Sequence, residues 1–330
     1  MINQRLFQHY RIDTAKDLAI PTRCARPFDT LLVDRWGSCF VCECQAWLPQ
    51  SVGNLHRNSI PEILNSAMTK EMQDSVSDGT YRYCNNHQCM YIKKGDIHPV
   101  TAGRSLKNLR LAIDDSCNLS CPSCRQQQIF LKSGKMFDMR MQLVDKLVQF
   151  LQQRSDPLKI HIGSDGDPFA SLEYRRFMRD VPELDNLTYS FQTNGLLVKQ
   201  MYPRVRHIFE KLHTLNISID GASKHTYESL RRGGSWKKIT ENLDFISGLK
   251  HRHGFTLKLH MVVQRQNWHE MLDMCELGSR IGADQVVLNK IEDWQTYGDF
   301  DGQRVPDTQE LHHLLEQVDA HPLSVTWTEL

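Results

Sequence analysis

The sequence predicts an α/β fold: a parallel sheet built from six strand–helix units, behind a small cysteine-rich N-terminal domain. Three observations lead there. Short apolar or β-branched segments recur at 109–114, 159–163, 187–192, 214–220, 256–263 and 285–289. Helical stripes fill the gaps, one made by Leu143, Val144, Leu147, Val148 and Leu151, another by Trp236, Ile239, Leu243 and Ile246. Nine of the ten cysteines fall between Cys24 and Cys124, leaving Cys275 alone beyond them. Strands joined through helices to parallel neighbours cross over right-handedly, so such a sheet carries its functional residues on loops at the strands' C-terminal ends.

The 330 residues are 40% hydrophobic and 24% charged, enough apolar content for a sizeable core. Lys+Arg number 40 and Asp+Glu 39, a formal net charge of +1, so no global field draws the chain to nucleic acid or to an anionic membrane. Residues 1–20 hold no continuous apolar stretch of signal-peptide length, and no later segment is long enough to span a bilayer. A cytoplasmic protein with no membrane partner is expected. Thiols stay reduced in that compartment, which makes clustered cysteines a sign of metal or catalysis rather than of disulfides. The basic pairs Arg231-Arg232 and Lys237-Lys238 read as solvated surface.

Taken in order, residues 1–90 form domain one, with Cys24, Cys39, Cys42, Cys44, Cys84 and Cys89 and a helix near 60–75. Residues 91–107, with Pro99 and Gly103, read as a linker. The strand–helix region occupies 108–290. Residues 291–330 are an extension in which Trp294, Tyr297 and Phe300 precede a helix near 307–318 and a short tail. Those aromatic residues either line the mouth of a site or brace the N-terminal domain. His312-His313 is expected to face solvent. Cys275, on one helix face with Met271, Met274 and Gly278, reads as a packing cysteine.

The chemistry sits after the first of the six strands, where Cys117, Cys121 and Cys124 are spaced C-x3-C-x2-C. On one loop, three thiolates so spaced wrap one face of a cuboidal iron–sulfur cluster and leave its fourth iron without a protein ligand. A structural zinc site would want a fourth Cys or His close by, and none follows Cys124. The motif resembles the signature of the radical S-adenosylmethionine (SAM) superfamily. That resemblance implies a partial (β/α)6 barrel in which a [4Fe–4S] cluster on Cys117, Cys121 and Cys124 binds SAM at its open iron. It further implies reductive cleavage of SAM to a 5′-deoxyadenosyl radical, which abstracts a substrate hydrogen, and an external electron donor such as flavodoxin or ferredoxin.

Three later segments are similar to SAM-contacting loops of that superfamily. Gly163-Ser164-Asp165-Gly166-Asp167-Pro168 looks like the Gly-rich stretch that meets the SAM amino group. The resemblance assigns contacts to Gly163, Ser164, Gly166 and Asp167, the glycines by close backbone approach and Asp167 by pairing with the ammonium. Gln192-Thr193-Asn194-Gly195 adds Asn194, while Ser218 and Asp220 are placed for the ribose hydroxyls, with a capped turn at Asp220-Gly221 as the other reading. The residue before the third cysteine, often an aromatic near adenine in the superfamily, is Ser123 here, which excludes adenine stacking from that position. Val263, Gln264 or Val287 would then supply compensating contacts.

In domain one, Cys24, Gly37 and Cys42 form a C-x12-G-x4-C opening that resembles the auxiliary-cluster domains called SPASM and twitch. Residues 47–55 and 78–89 look like SPASM sequence as well. The implied ligands of a second, auxiliary [4Fe–4S] cluster are Cys24, Cys42, Cys84 and Cys89, in a domain that precedes the barrel. The longer array of a two-cluster SPASM domain is missing, so a single-cluster, twitch-like form fits. Replacement of Cys42 by Cys39 or Cys44, a role for His87, and zinc on the same cysteines all stay open. The resemblance as a whole implies oxidative modification of a peptide, by crosslink or dehydrogenation, or its epimerisation. A small-molecule substrate, sugar-like or aminocyclitol-like, that is dehydrogenated or epimerised is the alternative. An iron–sulfur electron-transfer protein or a zinc-binding adaptor is the alternative of another class.

Overall fold

The computed structural model describes residues 24–85, 88–89, 91–92, 105–163 and 165–327. Ser164, His87, the first twenty residues and most of the linker at 91–107 therefore lie outside the described residues. The chain forms two compact units. The first holds the residues up to Asp114 together with Ser133–His161 and Asp180–Leu187; the second holds Asp115–Lys132, Ile162–Arg179 and Thr188–Leu330.

In the first unit the strand order is β5-β4-β1-β2-β3, with β1 Thr30–Asp34, β2 Ser38–Phe40, β3 Gly53–Asn54, β4 Asn108–Ala112 and β5 Leu158–Ile162. Every residue of β1 is buried, which is why its sequence is a continuous apolar run rather than an alternating one. It pairs in parallel with β4, from Thr30 opposite Asn108 to Asp34 opposite Ala112, and antiparallel with β2. The β1–β2 turn is set by Asp34, whose Oδ1 accepts from the amides of Trp36 (2.9 Å) and Ser38 (2.7 Å), and by Gly37 at φ +77°. Sequence reading gave this region one helix and no strands, because β2 and β3 are too short for a period of two to show. The helix expected near 60–75 is two helices, Ile60–Leu64 and Ala67–Ser77. Asn65 caps the first through a bond to the Pro61 carbonyl, and Ser66 starts the second by accepting from the Thr69 amide.

The second unit has the order β10-β9-β8-β7-β6, every adjacent pair parallel, with β6 Leu187–Thr193, β7 Leu212–Ser218, β8 Thr256–Val263, β9 Gln285–Lys290 and β10 Ser324–Trp327. The six expected strands, now β4 to β9, lie where the sequence placed them; β10 replaces the expected tail, extending the parallel order by one. One face of this sheet is apolar: Phe191, Leu215, Ile217, Leu257, Leu259, Met261, Val286 and Leu288 are fully buried. Each such side chain contributes about 1.5–3 kcal/mol. Helix Met271–Arg280 packs on β8 and β9, and Cys275 is buried within it. Helix Trp236–His253 begins at Ser235, whose Oγ accepts from the Lys238 amide, and stops at Gly254, which takes the left-handed conformation. The alternate residues, on the other face, are mostly polar, Val262 and Val287 being exceptions. Among the described residues no helix is long and apolar enough to cross a membrane.

Just after β4, in the first unit, the fully buried Asp114 carboxylate pairs with Arg140 of helix Lys135–Gln152. Replacing Arg140 by Met leaves a buried carboxylate without its cation. Stability should fall by about 3–5 kcal/mol, read from urea denaturation, whereas the exposed pair Arg206–Glu210 should cost under about 1 kcal/mol when broken by Arg206→Met.

Candidate active site

The loop after β4 is closed on itself by backbone bonds. Cys117 N donates to Ile129 O (2.8 Å), and the amides of Cys124 and Arg125 both donate to Cys121 O (2.9 Å each), a tight turn that gathers the three thiols. Ser116 Oγ accepts from Leu131 N (3.0 Å) and Ser116 O from Asp167 N (2.9 Å). Cys121 is buried, Cys117 half-buried and Cys124 exposed. Burial pushes the Cys117 thiol up to about 11, with the nearby Asp167 carboxylate adding to the rise. Burial also raises Cys121, against the Arg231 guanidinium, which favours its thiolate.

Each sulfur meets one nitrogen donor. Arg125 Nε lies 3.4 Å from Cys124 Sγ, Asn194 Nδ2 3.8 Å from Cys117 Sγ, and Arg231 Nη1 4.0 Å from Cys121 Sγ. Three thiols on one turn, two of them beside guanidinium groups that favour the anionic sulfur, fit a thiolate-bound cluster. Arg231 was expected to be solvated surface. Instead its side chain is 12% exposed and ion-paired to Asp220 at 2.8 Å, because a buried carboxylate needs a buried cation.

The residues assigned to SAM gather at the same strand ends. Gly163 takes φ +91°, and a Cβ there would stand 2.4 Å from the Gln192 carbonyl oxygen, so the β5 and β6 loops touch backbone to backbone at a position only glycine can occupy. Asn194 is 5% exposed, and its Nδ2 also donates to Asn118 Oδ1 (3.0 Å). Gln192 Nε2 donates to Ser218 Oγ. Gly166 is half-buried in the turn ahead of Asp167, and Ser164 lies outside the described residues. The two carboxylates expected to reach SAM point inward instead. Asp167 Oδ2 accepts from Thr193 Oγ1 (2.7 Å) and Asn194 N (2.8 Å), and its Oδ1 from Phe169 N (3.0 Å). Asp220 faces Arg231 and accepts from Val262 N (2.9 Å). Both carboxylates brace loops.

The polar face of β6 to β8 carries Gln192 and Ser218, already marked in the sequence, and Asn216, Lys258 and His260, which sequence reading did not single out. Their only sequence signal is polar alternation in strands whose other residues are Leu, Ile and Met. His260 Nε2 lies 3.2 Å from Asn216 Oδ1; an amide oxygen only accepts, so Nε2 carries the proton. Burial lowers the His260 pKa to about 4, helped by the charges of Lys258 and Arg231. Lys258 is half-buried and has no hydrogen-bond or ion-pair partner among the described residues. Above this face, Tyr297 Oη donates to Gln264 Oε1 (3.0 Å) and Gln126 Nε2 to Thr296 O (3.0 Å). Within this unit, then, the aromatic segment after β9 covers the cysteine loop and the end of β8.

In the first unit, Cys24, Cys42, Cys84 and Cys89 line a single hollow with Trp47 and Tyr91. Burial pushes Cys24 up to about 11 and Cys42 up to about 12. Cys39 is not part of that lining: it lies in β2 with its thiol donating to Gly37 O (3.6 Å). Cys44 heads the next turn, its carbonyl accepting from Trp47 and Leu48. The four thiols face a shared hollow rather than one point. Among the described residues no three His, Cys, Asp or Glu converge closely enough for a single ion, and a cuboidal cluster with one thiolate per iron has that wider spread. Arg26 closes one side of the hollow, ion-paired to Glu43 at 2.7 Å, and Tyr91 Oη donates to Glu43 Oε2 (2.6 Å).

Comparison with known proteins agrees on the chemistry. The profile of the radical SAM superfamily matches residues 113–278, and that of the SPASM iron–sulfur cluster-binding domain matches residues 24–90. A GTP 3′,8-cyclase of Limosilactobacillus fermentum is 26% identical over 197 residues, 57% of this chain and 57% of the cyclase. A GTP 3′,8-cyclase of Synechocystis is 23% identical over 180 residues, 54% of this chain and 52% of the cyclase. The chain spans about half the length of the curated relatives it matches. Among solved structures, Streptococcus suis SuiB bound to precursor peptide SuiA is 11% identical with TM-score 0.46, covering 79% of this chain and 54% of SuiB. The structure of anSMEcpe with bound AdoMet is 16% identical with TM-score 0.47, covering 67% of this chain and 63% of the other. These names overturn the expectation of peptide crosslinking, dehydrogenation or epimerisation: the matched curated relatives are named for ring closure on a nucleotide. The electron-transfer and zinc-adaptor alternatives fall with the superfamily match.

His260 gives the site a pH signature. Its folded pKa of about 4 is below the ordinary 6.5, so the unfolded chain binds the proton more readily between those values. The stability this neutral imidazole contributes is full above pH 6.5 and is lost as pH falls toward 4, up to about 3 kcal/mol. Denaturant titrations of cluster-free protein should show that slope, and His260→Gln should flatten it.

Proposed function

The chain belongs to the radical SAM superfamily and carries a SPASM iron–sulfur domain, and from that membership we propose that its active site cleaves SAM to drive ring closure on a small anionic substrate of the purine nucleotide class. In this reading Cys117, Cys121 and Cys124 hold the SAM-cleaving [4Fe–4S] cluster, and Cys24, Cys42, Cys84 and Cys89 the auxiliary one. Held there, the first cluster would supply the electron for reductive cleavage of SAM, which would yield methionine and a 5′-deoxyadenosyl radical. An external one-electron donor, such as a flavodoxin or ferredoxin, supplies that electron.

The chain's own residues orient and enclose. The backbone at Gly163 and Gly166, the Asn194 amide and the Ser218 hydroxyl position SAM. Tyr297 and its segment exclude water from above. The observation that carries the substrate class is Lys258, a half-buried ammonium that nothing among the described residues pairs with, beside a neutral His260. An ammonium without a protein partner is open to a phosphate or similar anion, which would form a charge-assisted bond with it. Neutral His260 offers Nδ1 as an acceptor for a base or ribose donor. The names of the curated relatives support the same class.

Reconstituted protein should contain about eight irons per chain, and the Cys117/Cys121/Cys124→Ala variant about half of that. In anaerobic assays with dithionite and SAM, that variant should form no 5′-deoxyadenosine; undiminished formation would remove the assignment. With GTP added, chromatography and mass spectrometry should find a new nucleotide product formed alongside 5′-deoxyadenosine. Lys258→Ala should then raise the KM for GTP by about one to two decades, from the loss of a charge-assisted bond of about 1.5–3 kcal/mol. Neither nucleotide binding by calorimetry nor nucleotide conversion would overturn the substrate class while leaving SAM cleavage in place.

A further inference from the structure

The three donors that meet the cysteine sulfurs are not equivalent. Asn194 is neutral. Arg231 is charged, but Asp220 stands 2.8 Å from it, so most of that charge is offset. Arg125 differs: among the described residues no ion pair joins it to a carboxylate, and the Asp115 carboxylate acts on it less strongly than the Cys124 sulfur does. Its guanidinium fork is held by carbonyls, Nη1 on Asp115 O (2.6 Å) and Nη2 on Asp165 O (2.5 Å), which leaves Nε pointed at Cys124 Sγ from 3.4 Å. The fork fixes the side chain without neutralising it. A planar guanidinium with two bonds in place has little freedom to turn its third donor away.

From this arrangement we propose that Arg125 is a positioning residue whose fixed charge and N–H···S bond to Cys124 set the reduction potential of the SAM-cleaving cluster. The inference rests on Cys124 being a cluster ligand. Gaining one electron from the external donor adds one negative charge to the cluster, and Arg125 itself neither gains nor loses an electron or proton. A fixed cation and a hydrogen bond at a ligand sulfur stabilise that more negative state, so they move the potential upward. The cost of reducing the cluster is thereby lowered by a residue that touches neither SAM nor substrate.

The test is an EPR-monitored redox titration of reconstituted wild type, Arg125→Gln and Arg125→Lys, with iron content measured first. Arg125→Gln should keep wild-type iron and a SAM-responsive EPR signal while its midpoint falls about tenfold in the reduction equilibrium constant, which is about 59 mV for one electron. Arg125→Lys, which keeps the charge but loses the two-carbonyl fork, should stay close to wild type. An unchanged midpoint in Arg125→Gln with full iron overturns the inference. If Arg125→Gln loses its cluster, Arg125→Lys decides: a wild-type midpoint supports the role, and a midpoint lower by about 59 mV overturns the role given to the charge. A wild-type protein whose EPR signal ignores SAM, or a Cys124→Ala variant that keeps the SAM response, would instead refute the ligand assignment.

Discussion

One buried carboxylate holds the active end of the second unit together. Asp167 is 1% exposed, and burial alone would push its carboxyl up and toward the neutral form; bonds from Thr193, Asn194 and Phe169 oppose that. Its own amide donates to Ser116 at the root of the cysteine loop. Three loops that share no regular secondary structure are thus fastened through a single residue. Asn194, fixed by that carboxylate, in turn reaches both Cys117 and Asn118. The position of the first cysteine sulfur is therefore set from the β5 and β6 loops as much as from its own.

Buried charge is used sparingly around the site, and always for geometry. Asp220 and Arg231 form a pair whose replacement by apolar residues would cost little, yet whose separation would leave one charge stranded. That pair joins the end of β7 to the segment after helix Lys224–Leu230 and places a guanidinium against Cys121. Nearby, Glu270 accepts from Ala222 N, Ser223 N, Ser223 Oγ and Thr226 Oγ1, so the start of that helix is also anchored by one carboxylate. The catalytic end is rigid because each loop is tied to another loop and not only to the sheet.

Much of this was legible in the sequence. The six parallel strands were visible because one face of each must be apolar, and the cysteine loop because three thiols at that spacing have few other uses. What was hidden depends on neighbours remote in the chain. Arg231 looks like surface charge beside Arg232, and only the distant Asp220 makes it an interior residue. Asp167 reads as a SAM contact when its loop is considered alone, and nothing in that loop shows that Thr193 and Asn194, from the next strand end, donate to its carboxylate. Lys258 and His260 carried only the weak signal of polar alternation. That Cys42 and not Cys39 lines the hollow could be seen only with β2 in place, since Cys39 belongs to the β1–β2 ladder.

The pairing of β1 with β4 bears on how the protein is made. Residues 30–34 wait for residues 108–112, a non-local contact that forms slowly and, on the ribosome, cannot form until the later strand emerges. Cys24, Cys42, Cys84 and Cys89 all precede β4 in the chain. During synthesis these four thiols leave the tunnel before the parallel partner of β1 exists. Every residue that lines their hollow lies between Cys24 and Ile92, so that part of the chain is complete while β1 still lacks its parallel neighbour.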